Sequence, residues 1–201
     1  MWPPEDVVCY ITEDLIVSLS GQRHLSQITA LDLHLRDGSL GKIRKIEQLG
    51  KLINLRQLNL SYNAIVKVEN METLSNLVEL NLAENAIRDI SGLLCLSSLQ
   101  RLNLSGNRLR RIPEDIRQLS NLENLRLARN HLTILEDMEY LAPLEKMTEL
   151  RVDENPFATD ADYAETRAFI LFCLSSLLSL DGTLVSSAER FVTIVPERYI
   201  L

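Results

Sequence analysis

The chain has 201 residues, which is enough for one domain with a sizeable core, and 46% of them are hydrophobic. Its 21 basic and 28 acidic residues give a net charge of −7, which disfavours non-specific binding to nucleic acid and to anionic membranes. No uninterrupted apolar run approaches the roughly 18–20 residues that span a bilayer.

The cysteines and the first residues indicate a cytoplasmic protein. Cys9, Cys95 and Cys173 are far apart and odd in number, so they do not form the disulfide framework of a small secreted domain. The segment 1–6 lacks the basic and apolar regions of a secretory signal. We therefore expect reduced thiols and no signal peptide.

Residues 1–27 are predicted to be a lead-in followed by a capping helix. Thr12 is placed to cap the start of this helix, and Gly21 to end it in the left-handed conformation. Its apolar stripe is predicted to consist of Ile11, Leu15 and Leu19. Trp2, in the lead-in, either packs on this helix or inserts into a partner.

Residues 28–157 contain about six copies of one leucine pattern. Five copies of L-x-x-L-x-L-x-x-N-x-L begin at Leu55, Leu77, Leu99, Leu122 and Met147, separated by 22, 22, 23 and 25 residues. A degenerate copy starts at Ile28, has Arg36 in place of the asparagine, and is followed by a predicted loop at Asp37–Ser39. The L-x-L core alternates as a strand does, so stacked copies are predicted to build a parallel sheet over one core.

The segments that return from one strand to the next have apolar residues at spacings of three, which favours short 3₁₀ turns. In the fourth return, Pro113 is predicted to start such a turn. We count the first leucine of each copy as position 1, so the asparagine is position 9. These asparagines are predicted to bond backbone groups that leave the sheet, and are Asn63, Asn85, Asn107, Asn130 and Asn155.

Residues 158–201 are predicted to cap the far end. A helix capped by Thr159 or Asp160 extends to about Ser176, and a strand-like segment follows at 177–182. Ser186 and Glu189 form a capping box for a last helix, which Pro196 ends. The tail 199–201 either folds back on the cap, docks elsewhere or marks a chain boundary.

The sequence contains no recognisable catalytic constellation. His24, His34 and His131 are isolated, and no glycine-rich phosphate-binding motif or G-x-S-x-G motif is present. We therefore expect no enzyme activity, no metal, no cofactor and no small-molecule substrate.

The exposed face of the strands is the candidate binding site. Positions 3, 5, 7 and 8 face the concave side, which in open solenoids binds partners. The middle of this face is basic and its flanks are acidic. The candidate residues are Tyr62, Glu84, Arg101, Arg126, Arg129 and Arg151. They either receive an acidic or helical segment of a partner protein, or pair with neighbouring charges and only solvate the face. A second basic group, predicted to be solvated, consists of Arg108, Arg110, Arg111 and Arg117.

The repeats and the sequence that follows them resemble a known class. Together with Tyr163, Arg167 and the segment Leu177-x-x-Leu180-Asp181-Gly182-x-x-Val185, they resemble intracellular leucine-rich repeat proteins with a C-terminal cap, over roughly residues 28–190. The resemblance implies an α/β solenoid with a parallel sheet on the concave face and 3₁₀ or short helices on the convex face. It also implies helical caps at both ends.

A closer likeness concerns the N-terminal half. Tyr10-Ile11-Thr12-Glu13-x-Leu15-Ile16, the segment 42–49 and the segment 58–63 are similar to the N-terminal repeat region of the centriolin family of centrosomal and midbody proteins. This implies an adaptor at the centrosome, basal body or axoneme that binds protein and not nucleic acid or membrane. The class also allows a regulatory subunit of protein phosphatase 1 or a ribonucleoprotein component. No heptad-rich segment follows Ser186, so the chain is either a stand-alone adaptor or a fragment without its coiled coil.

Overall fold

The computed structural model describes residues 8–34, 41–158 and 163–191. Three α-helices are present in these ranges: α1 (Glu13–Ser20), α2 (Tyr163–Cys173) and α3 (Ser187–Phe191). The strands are β1 (Val8–Cys9), β2 (Ala30–Asp32), β3 (Lys42–Ile43), β4 (Gln57–Asn59), β5 (Glu79–Asn81), β6 (Arg101–Asn103), β7 (Asn124–Arg126), β8 (Glu149–Arg151), β9 (Ser179–Leu180) and β10 (Thr183–Leu184).

The strands of the repeats form one sheet in the order β10-β9-β8-β7-β6-β5-β4-β2, parallel except for the antiparallel pair β9 and β10. The register places the leucine at position 4 of each repeat beside that of the next. This column is at most 4% exposed and comprises Leu31, Leu58, Leu80, Leu102, Leu125, Leu150 and Leu180. The predicted parallel sheet is confirmed, and β2 shows that the degenerate copy is a true repeat. A separate parallel pair joins β1 and β3.

The return segments build the opposite wall. Three of them contain 3₁₀ helices, at Ser91–Leu93, Glu114–Gln118 and Leu135–Leu141, and a fourth 3₁₀ helix, Leu25–Gln27, precedes β2. Pro113 directly precedes one of them, as predicted. The buried apolar residues of strands, returns and both ends form one cluster that runs from Ile11 to Leu180. The solenoid therefore has a single continuous core.

The asparagine column links each repeat to the one before it. In the last four members, the Oδ1 atom accepts a hydrogen bond of 2.9–3.1 Å from the N–H at position 11 of the preceding repeat. Asn63 Oδ1 accepts one of 3.0 Å from the Ile43 N–H, which follows the longer first copy. The Nδ2 of each asparagine donates to the carbonyl at position 6 of both repeats, as Asn107 does to Leu82 and Leu104. Four members are buried and Asn85 is partly exposed. The predicted structural role is confirmed.

Helix α1 covers the N-terminal end of the core. Thr12 accepts from the Leu15 N–H, and Gly21 is left-handed with φ of 67°, so both predicted ends are confirmed. The predicted stripe was wrong at Leu19, which is 46% exposed, whereas Ile16 is fully buried. The reason is that the helix has only two turns, and the last one lies beside β2 at the rim of a surface cavity instead of over the core.

The C-terminal cap combines α2, the β9–β10 hairpin and α3. The capping box is confirmed: the Ser186 N–H donates to Glu189 Oε2 at 2.8 Å, and the Glu189 N–H donates to Ser186 Oγ at 3.3 Å. Asp181 ties the cap to the last repeat, because its Oδ1 accepts from the N–H groups of Val152 and Asp153. The Tyr163 hydroxyl donates to its Oδ2 at 3.0 Å.

Several sequence predictions fall on residues outside the described ranges. They concern Trp2, Arg36, the loop Asp37–Ser39, the helix cap at Thr159 or Asp160, Pro196 and the tail Tyr199–Leu201. Within the part of the chain that the structure describes, no helix has both the length and the apolar character to cross a membrane.

Candidate protein-binding face

The concave face is shaped by a sharp bend at the end of each strand. Position 8 is left-handed in each of the five regular copies, with φ between 54° and 68° at Tyr62, Glu84, Gly106, Arg129 and Glu154. The N–H at this position donates to the carbonyl at position 7 of the next repeat, as from Glu84 to Ser105 at 2.8 Å. Side chains at position 8 thereby project over the face, while Ser61, Ala83 and Ala128 at position 7 are buried.

The asparagines at position 5 stabilise this bend in three repeats. The Oδ1 atoms of Asn59, Asn81 and Asn103 each accept from the N–H two residues later, at 3.1 Å. Arg126 and Arg151 occupy the same position in the next two repeats and extend over the surface instead. At position 5, long basic side chains therefore occur only in the C-terminal half of the face.

Each candidate arginine lies against a carboxylate. Arg101 Nη2 is 3.0 Å from Glu79 Oε2, and Arg126 Nη2 is 3.1 Å from Glu149 Oε1. Arg151 Nε is 3.2 Å from Asp153 Oδ1 in its own repeat. The arginines of the face are therefore held in ion pairs with carboxylates and do not form a continuous basic stripe.

The fourth pair crosses a whole repeat. Arg129 Nη2 lies 2.6 Å from Glu84 Oε1, although the two residues belong to the fourth and second of the five regular copies. Gly106, in the third copy, lies between them, and a Cβ there would be 2.6–2.9 Å from the carboxyl atoms of Glu84. The absence of a side chain at position 106 leaves the space in which this pair forms.

The structure brings five of the six candidate residues together. Tyr62, Glu84, Arg126, Arg129 and Arg151 line one cavity of about 310 Å³. Arg101 lies in an adjoining cavity of about 190 Å³, where Arg126 also contributes. Sequence reasoning placed these residues on one face but missed the role of Gly106, for which the signal is a missing side chain between two charged ones at position 8.

The paired arginines remain accessible to a partner. Their side chains keep 44% exposure at Arg101 and Arg126, 52% at Arg129 and 40% at Arg151. Tyr62 is 36% exposed, and its carbonyl accepts a hydrogen bond from Lys42 Nζ. The face thus presents guanidinium forks, carboxylates and one aromatic ring in shallow open cavities.

No cluster of three or more His, Cys, Asp or Glu side chains that could hold a metal ion occurs in residues 8–34, 41–158 and 163–191. Burial raises the pKa of the Cys173 thiol to about 12, with Glu139 adding to the effect, so this thiol stays protonated.

The four arginines of the second basic group are exposed, as predicted, but they do not share one set of partners. Arg111 forms two hydrogen bonds of 2.7 Å to Asp137, a carboxylate that is only 3% exposed and that also accepts from the Ile112 N–H. Arg117 pairs with Glu114 at 2.7 Å. Arg108 and Arg110 instead line a surface cavity together with Arg88 and His131.

The comparisons with known proteins agree on one architecture. A family model for the leucine-rich repeat matches residues 39–193. The sequence is 50% identical to centriolin of Mus musculus over 184 residues, which is 91% of this chain but only 8% of that protein. The chain therefore spans less than a tenth of this relative.

Two solved structures show the same fold. A leucine-rich repeat protein of Leptospira interrogans matches 77% of this chain and 37% of its own, with 26% identity and a TM-score of 0.64. A chain in the SNF/U2A′ complex of Drosophila melanogaster matches 91% of this chain and 89% of its own, with 24% identity and a TM-score of 0.54.

Proposed function

Because the chain belongs to the leucine-rich repeat family, we propose that it is a non-catalytic adaptor whose concave face holds an acidic or helical segment of a partner protein. Leucine-rich repeat domains are protein-interaction modules, and their open sheet is the usual contact surface. In this proposal residues 28–157 carry the binding repeats, while 1–27 and 158–201 cover their ends.

The observation that carries the proposal is the half-exposed pairing of the arginines on this face. Ion pairs at such exposure contribute only about 0–1 kcal/mol each, because water screens them. A carboxylate of a partner can therefore replace Glu149 beside Arg126, or Glu79 beside Arg101, at little cost. Arginine then forms bidentate bonds that are stronger when the interface excludes water.

The size of the face fits a short helix. Five neighbouring strands, β4 to β8, span about 19 Å at the usual strand spacing. A helix of about 13 residues has the same length. Along the array, Glu79 and Glu149 flank Arg101 and Arg126, and this acidic–basic–acidic order provides the charge pattern that would fix the register of the helix.

The cellular part of the proposal rests on the similarity to centriolin. We place the adaptor in the cytoplasm, at the centrosome, basal body or ciliary axoneme. The small share of centriolin that the chain spans makes this a proposal about the repeat domain and not about a whole centriolin.

The test reverses charge at the centre of the face. The double variant Arg126→Glu/Arg129→Glu and the unchanged chain are expressed with a tag in ciliated cells, and co-purifying proteins are quantified by mass spectrometry. We expect a defined set of proteins to be lost, and the centrosomal or ciliary signal of the tagged chain to fall. The matched control is Arg23→Glu/Arg56→Glu, which makes the same charge change at two exposed residues that line neither cavity of the face.

Three outcomes contradict the proposal in different parts. If Arg126→Glu/Arg129→Glu and the control variant recover the same set of proteins, the binding site does not lie on the concave face. A diffuse signal for the unchanged chain removes the centrosomal and ciliary assignment. Dominant recovery of the catalytic subunit of protein phosphatase 1 replaces the adaptor by a regulatory subunit that uses the same face.

A further inference from the structure

A second cluster of basic side chains lies beyond the asparagine column, and we call it the edge pocket. Arg88, Arg108, Arg110 and His131 line a surface cavity of about 470 Å³. All four residues are exposed. Among the described residues, no carboxylate belongs to this lining.

The repeat geometry brings the four side chains together. They occupy positions 10 and 12 of three successive repeats, and all four line the same cavity. The backbone beneath them is fixed, because the Arg108 N–H donates to the Ile87 carbonyl at 2.9 Å and the His131 N–H to the Leu109 carbonyl at 2.8 Å. Asn107 and Asn130 hold the adjacent N–H groups. The cationic groups therefore start from a rigid base and not from a loop.

The acidic residues of this region are already engaged elsewhere. Asp89, which follows Arg88, accepts hydrogen bonds from the N–H and Oγ of Ser91, at 3.1 and 2.6 Å. Asp137 holds Arg111, and Glu114 holds Arg117. Within the described part of the chain, no ion pair involves Arg88, Arg108 or Arg110.

The contrast with the concave face points to a ligand. Every candidate arginine there lies against a carboxylate, whereas three arginines share the edge pocket without one, in a chain of net charge −7. Like charges gathered on a rigid surface repel one another, and a bound anion removes that cost. Guanidinium forks match carboxylate and phosphate oxygens in planar, bidentate geometry.

We propose that the edge pocket binds an anionic cluster, made of carboxylates or of one phosphate monoester, on a segment of a partner protein. The pocket is compact, so it suits a few side chains and not an extended polyanion, which the net negative charge of the chain repels at longer range. This site is separate from the concave face. A partner that occupies both sites gains affinity through linkage of the two contacts.

The experiment measures binding of short fluorescent peptides by anisotropy. Three peptides share one glycine-rich sequence and differ in its polar residues. The first carries several glutamates, the second carries one phosphoserine among glutamines, and the third carries glutamines alone. The glutamate or the phosphoserine peptide should bind the unchanged chain, with affinity that falls as salt is raised. Arg108→Glu/Arg110→Glu should weaken this binding about tenfold or more, since repulsion replaces attraction at two contacts. Tighter binding of one probe identifies carboxylate or phosphate as the recognised group.

Matched variants separate this proposal from the one on the concave face. Arg23→Glu/Arg56→Glu changes the net charge equally and should retain binding, and urea unfolding midpoints check that all variants are folded. If Arg23→Glu/Arg56→Glu weakens peptide binding as much as Arg108→Glu/Arg110→Glu does, binding depends only on net charge, and the proposed site at the edge pocket is wrong. Loss in Arg126→Glu/Arg129→Glu alone would assign the peptides to the concave face. Tighter, edge-dependent binding of a single-stranded oligonucleotide or of phosphatidylserine vesicles would overturn the assignment to a protein segment.

Discussion

The asparagine column and the concave face use the same repeats in opposite ways. At position 9 the same residue returns in five repeats and makes the same bonds, to the preceding repeat and to its own. At positions 3 and 8 the residue changes from repeat to repeat, and position 5 changes from asparagine in the first three regular copies to arginine in the last two. The charged side chains at these positions bond one another in pairs that do not recur. Periodic positions therefore maintain the fold, whereas the aperiodic positions distinguish this protein from other solenoids.

The largest loss of stability is expected when one asparagine of the column is removed. Asn107→Ala leaves the Ile87 N–H without its partner and loses the bonds to the Leu82 and Leu104 carbonyls, so we expect the free energy of unfolding to fall by about 2–4 kcal/mol. Urea titration should show a lower midpoint with an unchanged slope.

Asn103→Ala is the matched control for this change, because it removes the same residue type at position 5. Asn103 Oδ1 accepts from the Ser105 N–H in a partly exposed bend, and its loss should cost about 1 kcal/mol or less. Equal costs for the two variants would show that the column is not the stabilising feature that its bonds indicate.

A middle-sized effect tests the space at Gly106. Gly106→Ala places a Cβ where the Glu84 carboxylate lies and imposes left-handed backbone strain of about 1–2 kcal/mol on alanine. In a Glu84→Ala background the steric part should disappear, which gives a coupling of about 0.5–1 kcal/mol in a double-mutant cycle. Strict additivity of the two changes would refute the idea that the missing side chain makes room for the pair with Arg129.

The smallest expected effect appears only at acidic pH and concerns an ion pair in the C-terminal cap. This pair is more buried than those of the concave face, and in this respect it resembles the asparagine column. Arg167 is 12% exposed, donates to the Leu180 carbonyl and pairs with Glu189 at 2.7 Å. Arg167 and the N–H and hydroxyl of Ser186 lower the pKa of Glu189 to about 2 from its ordinary 4.5.

Because the pKa of Glu189 is lower in the folded state, its contribution to stability is complete above pH 4.5 and is lost as the pH falls towards 2. Glu189→Gln should therefore flatten the decline of the unfolding midpoint in this range. Glu145→Gln, at an exposed position without an ion pair to the described residues, is the control and should keep the full decline. Parallel pH profiles for both variants would count against a role for Glu189.

The sequence was sufficient to predict the features that follow from the spacing of the repeats. The leucine spacing predicts the register of the parallel sheet, and the column predicts its own bonds, because each repeat meets only its neighbours in a fixed geometry. The capping box at Ser186 is equally local. These features need no knowledge of distant contacts.

The sequence offered ion pairing on the concave face as one alternative, but it could not show which charges pair. Glu84 and Arg129 are 45 residues apart, and only side-chain rotamers across Gly106 bring them together. The edge pocket was likewise hidden, because Arg108 and Arg111 look alike in the sequence while Asp137 binds only Arg111. Leu19 was misplaced since the end of a two-turn helix, beside β2, decides its exposure. Whether Arg126 and Arg129 contact a partner stays a prediction.

The bonds of the asparagine column also determine how the domain responds to tension. An equivalent set of hydrogen bonds joins each repeat to the one before it, and Asp181 makes a different bond between the last repeat and the C-terminal cap. A load applied along the array passes in series through interfaces that are held by equivalent bonds. Under a steady pull we expect the solenoid to open repeat by repeat, so that the extension of the domain increases in steps.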